Sequence, residues 1–299
     1  MKDGVLLVDK PAGMTSHDVV GKVRRLYGTR QVGHTGTLDP MATGLLPILV
    51  GRAVKASEYL TEHDKSYEAT LKLGITTDTE DVTGRILTQS DILPTEAEVQ
   101  AVLPAFRGEI LQIPPMYSAL KRDGEKLCDL ARRGIEIERE ARPIQIHALS
   151  LSVIDEKAGE YRLSVTCSKG TYIRTLCADI GRALGCGGVM ASLRRTATGS
   201  FSLADAFSLT ALEEMTDTER EDLLRPTEDL FLDAPILRLP PFYAKLAQSG
   251  CEIYLKKIGA SLPLGTRVRL YDHAFFSLGE VRSYENGDAV KPIKKFRLN

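Results

Sequence analysis

Residues 33–46 read Gly33-His34-Thr35-Gly36-Thr37-Leu38-Asp39-Pro40-Met41-Ala42-Thr43-Gly44-Leu45-Leu46. Three glycines in this stretch let the backbone turn sharply or come close to a ligand. Pro40 disfavours the α region for the residue before it, so Asp39 is pushed toward extended backbone. Its carboxylate is then presented from a constrained loop rather than from a helix face. An Asp-Pro step also occurs in ordinary turns, so that dipeptide alone does not specify chemistry. The density of Gly, Thr and Pro from Gln31 to Gly44 predicts a loop throughout.

Upstream, Gly4 to Val8 (GVLLV) reads as a short buried strand. Thr15 or Ser16 then caps a helix with apolar positions at Val19, Val20, Val23 and Leu26, ended by Gly28. Downstream, Ala53 to Leu60 reads as helical, Tyr67 to Leu73 alternates as a strand, and Thr95 to Phe106 is a second amphipathic helix. From Ile113 to Arg142 the pattern loosens into a Pro114-Pro115 step and a highly charged excursion, partly helical from Lys126 to Arg133. Arg162 to Cys167 is a strand, Ser168 to Thr171 a turn, and Ile173 to Leu184 a helix closed by Gly185.

Strands and helices mix without regular βαβ alternation. This predicts an α+β fold with a mixed or antiparallel central sheet flanked by helices and loops. The acidic stretch before Pro235 marks a hinge. Beyond it come Ile236 to Leu239, a helix from Pro241 to Gly250 and strands at Arg267 to Tyr271 and Phe275 to Val281. The expected division is therefore residues 1–234 and a small β-barrel-like module over 235–299.

The 299 residues suffice for a packed core, and 43% are hydrophobic, with no tryptophan. No apolar run reaches the ~20 residues of a membrane span, and the N-terminal segment lacks a signal-peptide core. A cytoplasmic location with no membrane partner is expected. The five cysteines form no CxxC pair and read as reduced, mostly buried thiols. Asp78 to Gly84 has the acids of a calcium loop out of step, so no metal site is expected there.

Net charge is −1, but its distribution is uneven. Lys169, Arg174, Arg182, Arg194 and Arg195 face only Asp179 in one segment, and Lys291, Lys294, Lys295 and Arg297 crowd the end of the chain. Segregated basic stretches can grip a phosphate backbone.

The whole string from Gly33 to Leu46 resembles the signature of the TruB-type pseudouridine synthases, the bacterial tRNA pseudouridine-55 synthases. Other motifs follow in the family's order: VDKPAG at Val8 to Gly13, Lys65-Ser66-Tyr67 with LKLGITTDTEDVTG, MYSALK at Met116 to Lys121, SKGTYIRT at Ser168 to Thr175, and Leu193-Arg194-Arg195. The resemblance extends over about residues 4–200.

It implies the pseudouridine synthase fold and isomerisation of uridine 55 in the tRNA T-loop, with Asp39 as the catalytic carboxylate, Arg174 as its partner and Tyr67 as the active-site tyrosine. It places Lys10 and Pro11 beside the active-site floor, His34 in the space left by flipped bases, Tyr172 as a second tyrosine and Leu193 against the uracil ring. The excursion at about 113–142 becomes an RNA-clasping insertion. The C-terminal piece looks, more loosely, like a PUA-type RNA-binding module with Lys294, Lys295 and Arg297 as phosphate contacts.

Pseudouridine formation detaches uracil, turns it and rejoins it through carbon. It needs no redox step or group donor, so no cofactor is implied. A carboxylate in a dry pocket needs a compensating cation, and a guanidinium supplies one with two-pronged geometry. The spacing of Asp39 and Arg174 could not by itself reveal their pairing. Sugar attack, ring attack and proton abstraction by Asp39 all stay open. So do a T-loop-binding tRNA folding chaperone and a pseudouridine synthase of another RNA. The implied partner is tRNA, bound by a monomer without an obligate protein partner.

Overall fold

The computed structural model describes residues 2–59, 63–122 and 124–297. The chain runs β1 (Gly4–Lys10), α1 (Ser16–Leu26), β2 (Val32–His34), β3 (Thr43–Val50), β4 (Lys65–Leu73), β5 (Ile75–Thr77) and β6 (Ile86–Gln89). Next come α2 (Glu96–Val102), β7 (Gly108–Gln112), β8 (Lys121–Arg122), β9 (Glu125–Lys126), α3 (Leu127–Arg132), β10 (Arg142–Asp155) and β11 (Glu160–Cys167). Then follow α4 (Ile173–Ala183), β12 (Gly188–Thr198), β13 (Phe201–Ser202), β14 (Phe207–Ser208), α5 (Leu209–Glu214) and α6 (Asp217–Asp222). The last elements are β15 (Ile236–Arg238), α7 (Pro241–Gln248), β16 (Ile253–Tyr254), β17 (Arg267–Tyr271), β18 (Phe275–Tyr284) and β19 (Gly287–Lys295).

The large sheet has the order β14-β1-β3-β12-β4-β11-β10-β7, with β2 on β3 and β13 on β12. It is mixed: β1 with β14 and β3 with β12 run parallel, and the remaining pairs are antiparallel. A second sheet, β15-β17-β18-β19-β16, curls into a half-barrel. The α+β expectation with a mixed central sheet therefore stands.

Local sequence explains the principal elements. Thr15 and Asp18 form a reciprocal capping box at the start of α1, whose Val19, Val20 and Val23 are buried. In β4 the alternation buries Tyr67, Ala69, Leu71 and Leu73 on one face. Strand β1 does not alternate because both of its faces are covered. Leu6 and Val8 join the core beneath α1, whereas Val5 and Leu7 pack in a second cluster with Phe231, Leu278 and Phe296.

Two local expectations differ from the structure, and two are refined by it. Gln31 to Gly44 is not loop throughout: Val32 to His34 pair with Ile48 to Val50, and Thr43 already belongs to β3. The helical expectation for Ala53 to Leu60 holds as a 3₁₀ helix over Gly51 to Tyr59, and Leu60 lies outside the described residues. The helix from Thr95 stops at Val102 and tightens to 3₁₀ over Leu103 to Phe106, because Pro104 cannot donate an α-helical hydrogen bond. The C-terminal cations are occupied within the protein: Lys294 pairs with Glu58, Arg297 with Asp272, and Lys295 donates to the Gln248 carbonyl.

Among the described residues no helix is long and apolar enough to cross a membrane.

Candidate active site

The central strands converge where Arg195 of β12 lies in register with Gly44 of β3 on one side and Tyr67 of β4 on the other. Gly44 has φ +97°, and a Cβ there would stand 2.3 Å from the Arg195 carbonyl oxygen. Only glycine fits that approach.

The loop between β2 and β3 is pinned on both sides of Asp39. Leu38 donates its N–H to Ser16 Oγ at 2.8 Å, and that hydroxyl returns a bond to the Leu38 carbonyl at 3.2 Å. The Pro40 carbonyl accepts from the Gly13 N–H at 2.8 Å and from Lys10 Nζ at 3.3 Å. Lys10 also donates to the carbonyls of Pro11 and Met14, at 2.9 and 2.6 Å. Its ammonium is fully buried, and desolvation pushes its pKa down. Lys10 thus sits beneath the loop and holds it in place, while Pro11 is exposed beside it.

Arg174 comes from the first turn of α4. Its Nε meets Asp39 Oδ2 at 3.0 Å, with the arginine side chain 8% exposed and the aspartate 38%. The other nitrogens donate to the Thr79 carbonyl at 3.2 Å and the Tyr117 carbonyl at 2.8 Å. Two distant segments therefore aim the guanidinium at the carboxylate. The first is the turn after β5, where Glu80 adopts φ +62°, uncommon for a residue with a side chain. Its half-buried carboxylate accepts from Thr175 Oγ1 at 2.5 Å, and desolvation raises its pKa. Asp81 accepts from Thr79 and Thr83, so the acids of this stretch organise a turn. Among the described residues no group of three or more His, Cys, Asp or Glu could hold a metal ion.

Asp39, Tyr67, Tyr172, Arg174 and Leu193 all line one cavity of about 290 Å³, closed on one side by Tyr117, Ser118 and Ala119 of the 113–142 excursion. Tyr67 is buried and its pKa raised by desolvation, an effect opposed by the charge and hydrogen bond of Arg195. Tyr172 is half-buried with its pKa likewise raised by burial, and its backbone is fixed by reciprocal bonds to the Gln112 side chain.

His34 does not line the cavity. It ends β2, its pKa lowered by burial and by the neighbouring charges of Arg195 and His17. Its buried Nδ1 has no hydrogen-bond partner among the described residues.

Two cations of the cavity, Arg195 and Lys65, have no site role among the expectations drawn from the sequence. Arg195 is 1% exposed and donates to the carbonyls of Leu45 at 2.7 Å and Gly36 at 3.2 Å. Lys65 lies two positions before Tyr67 on the same face of β4. The available signal was the same pair of motifs, Lys65-Ser66-Tyr67 and Leu193-Arg194-Arg195, read beyond their tyrosine and leucine.

Residues 24–173 match the model of the TruB family pseudouridylate synthase N-terminal domain, and residues 174–232 that of the tRNA pseudouridylate synthase B C-terminal domain. The chain belongs to the TruB family of pseudouridylate synthases. It is 47% identical over 279 residues to a protein of Aromatoleum aromaticum named tRNA pseudouridine synthase B, covering 93% of this chain and 88% of that one. A protein of the same name from Methylobacillus flagellatus is 45% identical over 281 residues, covering 94% and 92%.

In three dimensions this TruB-family chain resembles a protein in a solved Cbf5–Nop10–Gar1 complex, with TM-score 0.75 and 25% identity over 98% of this chain and 85% of the other. An archaeal box H/ACA Nop10–Cbf5 complex gives TM-score 0.73 at 24% identity, over 98% and 86%, and supports the fold alone.

Proposed function

We propose that this chain converts uridine 55 in the T-loop of tRNA to pseudouridine by turning the base into the Asp39 cavity. One observation carries the reading: the Asp39–Arg174 pair, at 3.0 Å, opens into a cavity walled by three tyrosines and Leu193. A uridine within a folded loop must leave its stack, at a cost on the order of a few kcal/mol. Stacking on an aromatic face returns roughly 1–3 kcal/mol.

In this scheme Asp39 acts on the nucleoside and Arg174 fixes the carboxylate's orientation. Tyr67 supplies the aromatic face and a hydroxyl for the proton at the isomerised carbon, and Leu193 packs on the ring. Tyr172 completes the wall. Lys10 and Pro11 support the loop from below, and His34 stands on the side that enters the RNA loop. The rearrangement is internal to the nucleotide and takes no cofactor.

Residues 1–234 form the catalytic domain in this proposal, and 235–299 a PUA-like module that extends the tRNA contact. The protein works in the cytoplasm as a monomer without an obligate protein partner. The names of the relatives support a tRNA substrate.

The test is tritium release from 5-tritiated-uridine tRNA transcript, with Asp39→Asn and a transcript lacking uridine 55 as controls. Asp39→Asn is expected to lower turnover by at least ~10³-fold, within the range of positioned acid–base groups, while tRNA binding persists. A folded, tRNA-binding wild type that releases no tritium would instead be a tRNA folding chaperone.

A further inference from the structure

The cavity is richer in cations than one carboxylate can balance. Asp39 stands against Arg174, Arg195 and Lys65 in the lining, with Lys10 beneath. Three of these cations are committed. Arg174 holds Asp39 and two carbonyls, Lys10 holds three carbonyls, and Arg195 is enclosed by the Leu45 and Gly36 carbonyls and Tyr67.

Lys65 is different. Its ammonium gives one hydrogen bond, to the His63 carbonyl at 2.7 Å, and no ion pair to a carboxylate joins it among the described residues. An ammonium carries three donors, so two remain for a ligand.

Its position suits a ligand at the cavity mouth. Lys65 is the first residue of β4, and exposure increases from Tyr67, at 8%, to the half-buried Lys65. Gly36 covers it without a side chain: a Cβ there would lie 3.8 Å from Lys65 Cε. Burial lowers the lysine's pKa, so an anion arriving beside it restores the lost stabilisation of the charge. Uracil and ribose enter neutral. The anionic part of an extruded nucleotide is its phosphodiester, which must stay near the mouth as the base enters.

We propose that Lys65 binds a phosphodiester flanking the extruded uridine, and so sets how far the nucleotide enters toward Asp39. This rests on the cavity being the uridine site.

The experiment pairs a protein change with a substrate change. Wild type, Lys65→Gln and Lys65→Arg are assayed on RNA carrying a single neutral methylphosphonate either 5′ or 3′ of the target uridine, and on unmodified RNA. With unmodified RNA, Lys65→Gln should lower kcat/KM about tenfold, the scale of a hydrogen bond to a charged group, with Lys65→Arg recovering part of the loss. One of the two methylphosphonates should cost wild type about the same and cost Lys65→Gln nothing further. Losses that multiply would overturn the proposal. If Lys65→Gln does not fold, the substrate arm decides: wild type indifferent to both neutral linkages overturns it equally. Failure of wild type on unmodified RNA would instead strike the uridine reading on which this one stands.

Discussion

The loop bearing Asp39 and the excursion from 113 to 142 both wall the same cavity, yet they are built in opposite ways. The loop is tied through main-chain groups to fixed partners: buried Ser16 grips Leu38, and buried Lys10 together with the Gly13 backbone grips Pro40. Among its described residues the excursion is buried at Pro114 to Met116, Ser118 and Leu127, and most of its charged residues are exposed. Its ion pairs, such as Arg133–Glu125 and Arg139–Glu136, lie largely at the surface. Rigidity is concentrated where a carboxylate must be aimed. The wall proposed to meet the RNA is held mainly at its base.

The sharpest way to break this contrast is at Arg174, which joins the two regions through Asp39 and the Tyr117 carbonyl. Arg174→Lys keeps the charge but cannot reproduce the planar fork. Turnover is expected to fall on the order of 100-fold with little change in tRNA affinity, read as a split between kcat and binding. Equal loss in both would mean that the arginine chiefly builds the fold.

Alkaline titration tests the far end of the helix that supplies Ser16. Tyr27 closes α1, donates to the Arg220 carbonyl at 2.7 Å, and burial raises its pKa to about 12. A phenol raised in the folded state binds its proton more tightly there. Its stabilisation is therefore complete below pH ~10 and lost as pH climbs toward 12. The swing should reach roughly 2 kcal/mol, and Tyr27→Phe should flatten it in denaturant melts across pH 9–12. An unchanged alkaline slope in Tyr27→Phe would assign the loss to other groups.

Ser16→Ala removes the loop's own pin and leaves the buried Leu38 N–H without its acceptor. Stability should fall by about 1–2 kcal/mol in a thermal or urea melt, with a smaller decrease in turnover. In the excursion, Glu125→Ala breaks an exposed pair and should cost no more than ~0.5 kcal/mol. Comparable losses from Ser16→Ala and Glu125→Ala would erase the distinction between the two regions.

The same contrast explains what could be read beforehand. Elements with periodic apolar faces or caps were legible: α1 from Thr15 and its valines, β4 from its alternation, and α4 from Ile173 onward. The site loop was legible because Asp39 stands in a long, specific string. Strand β12 was not, since its Arg195 looks like a surface residue and is instead buried against carbonyls of the neighbouring loop and strand. Those acceptors belong to segments distant in sequence, so no local pattern announces them. The internal partners of the C-terminal cations were hidden for the same reason: Glu58 and Asp272 meet Lys294 and Arg297 from afar. Short β2 escaped because pairing with β3, rather than its own Gly-rich composition, makes it a strand.

The doubly covered strand β1 bears on the order in which the protein can be completed. Val5 and Leu7 share their cluster with nearby Leu45 and Leu49 but also with Leu278 and Phe296, far along the chain. During synthesis one side of this strand stays only partly covered, greasy and waiting, until the C-terminal sheet has emerged. A strand made before that sheet is thus sealed only after it, and whatever shields it meanwhile guards the sheet on which the candidate site is built.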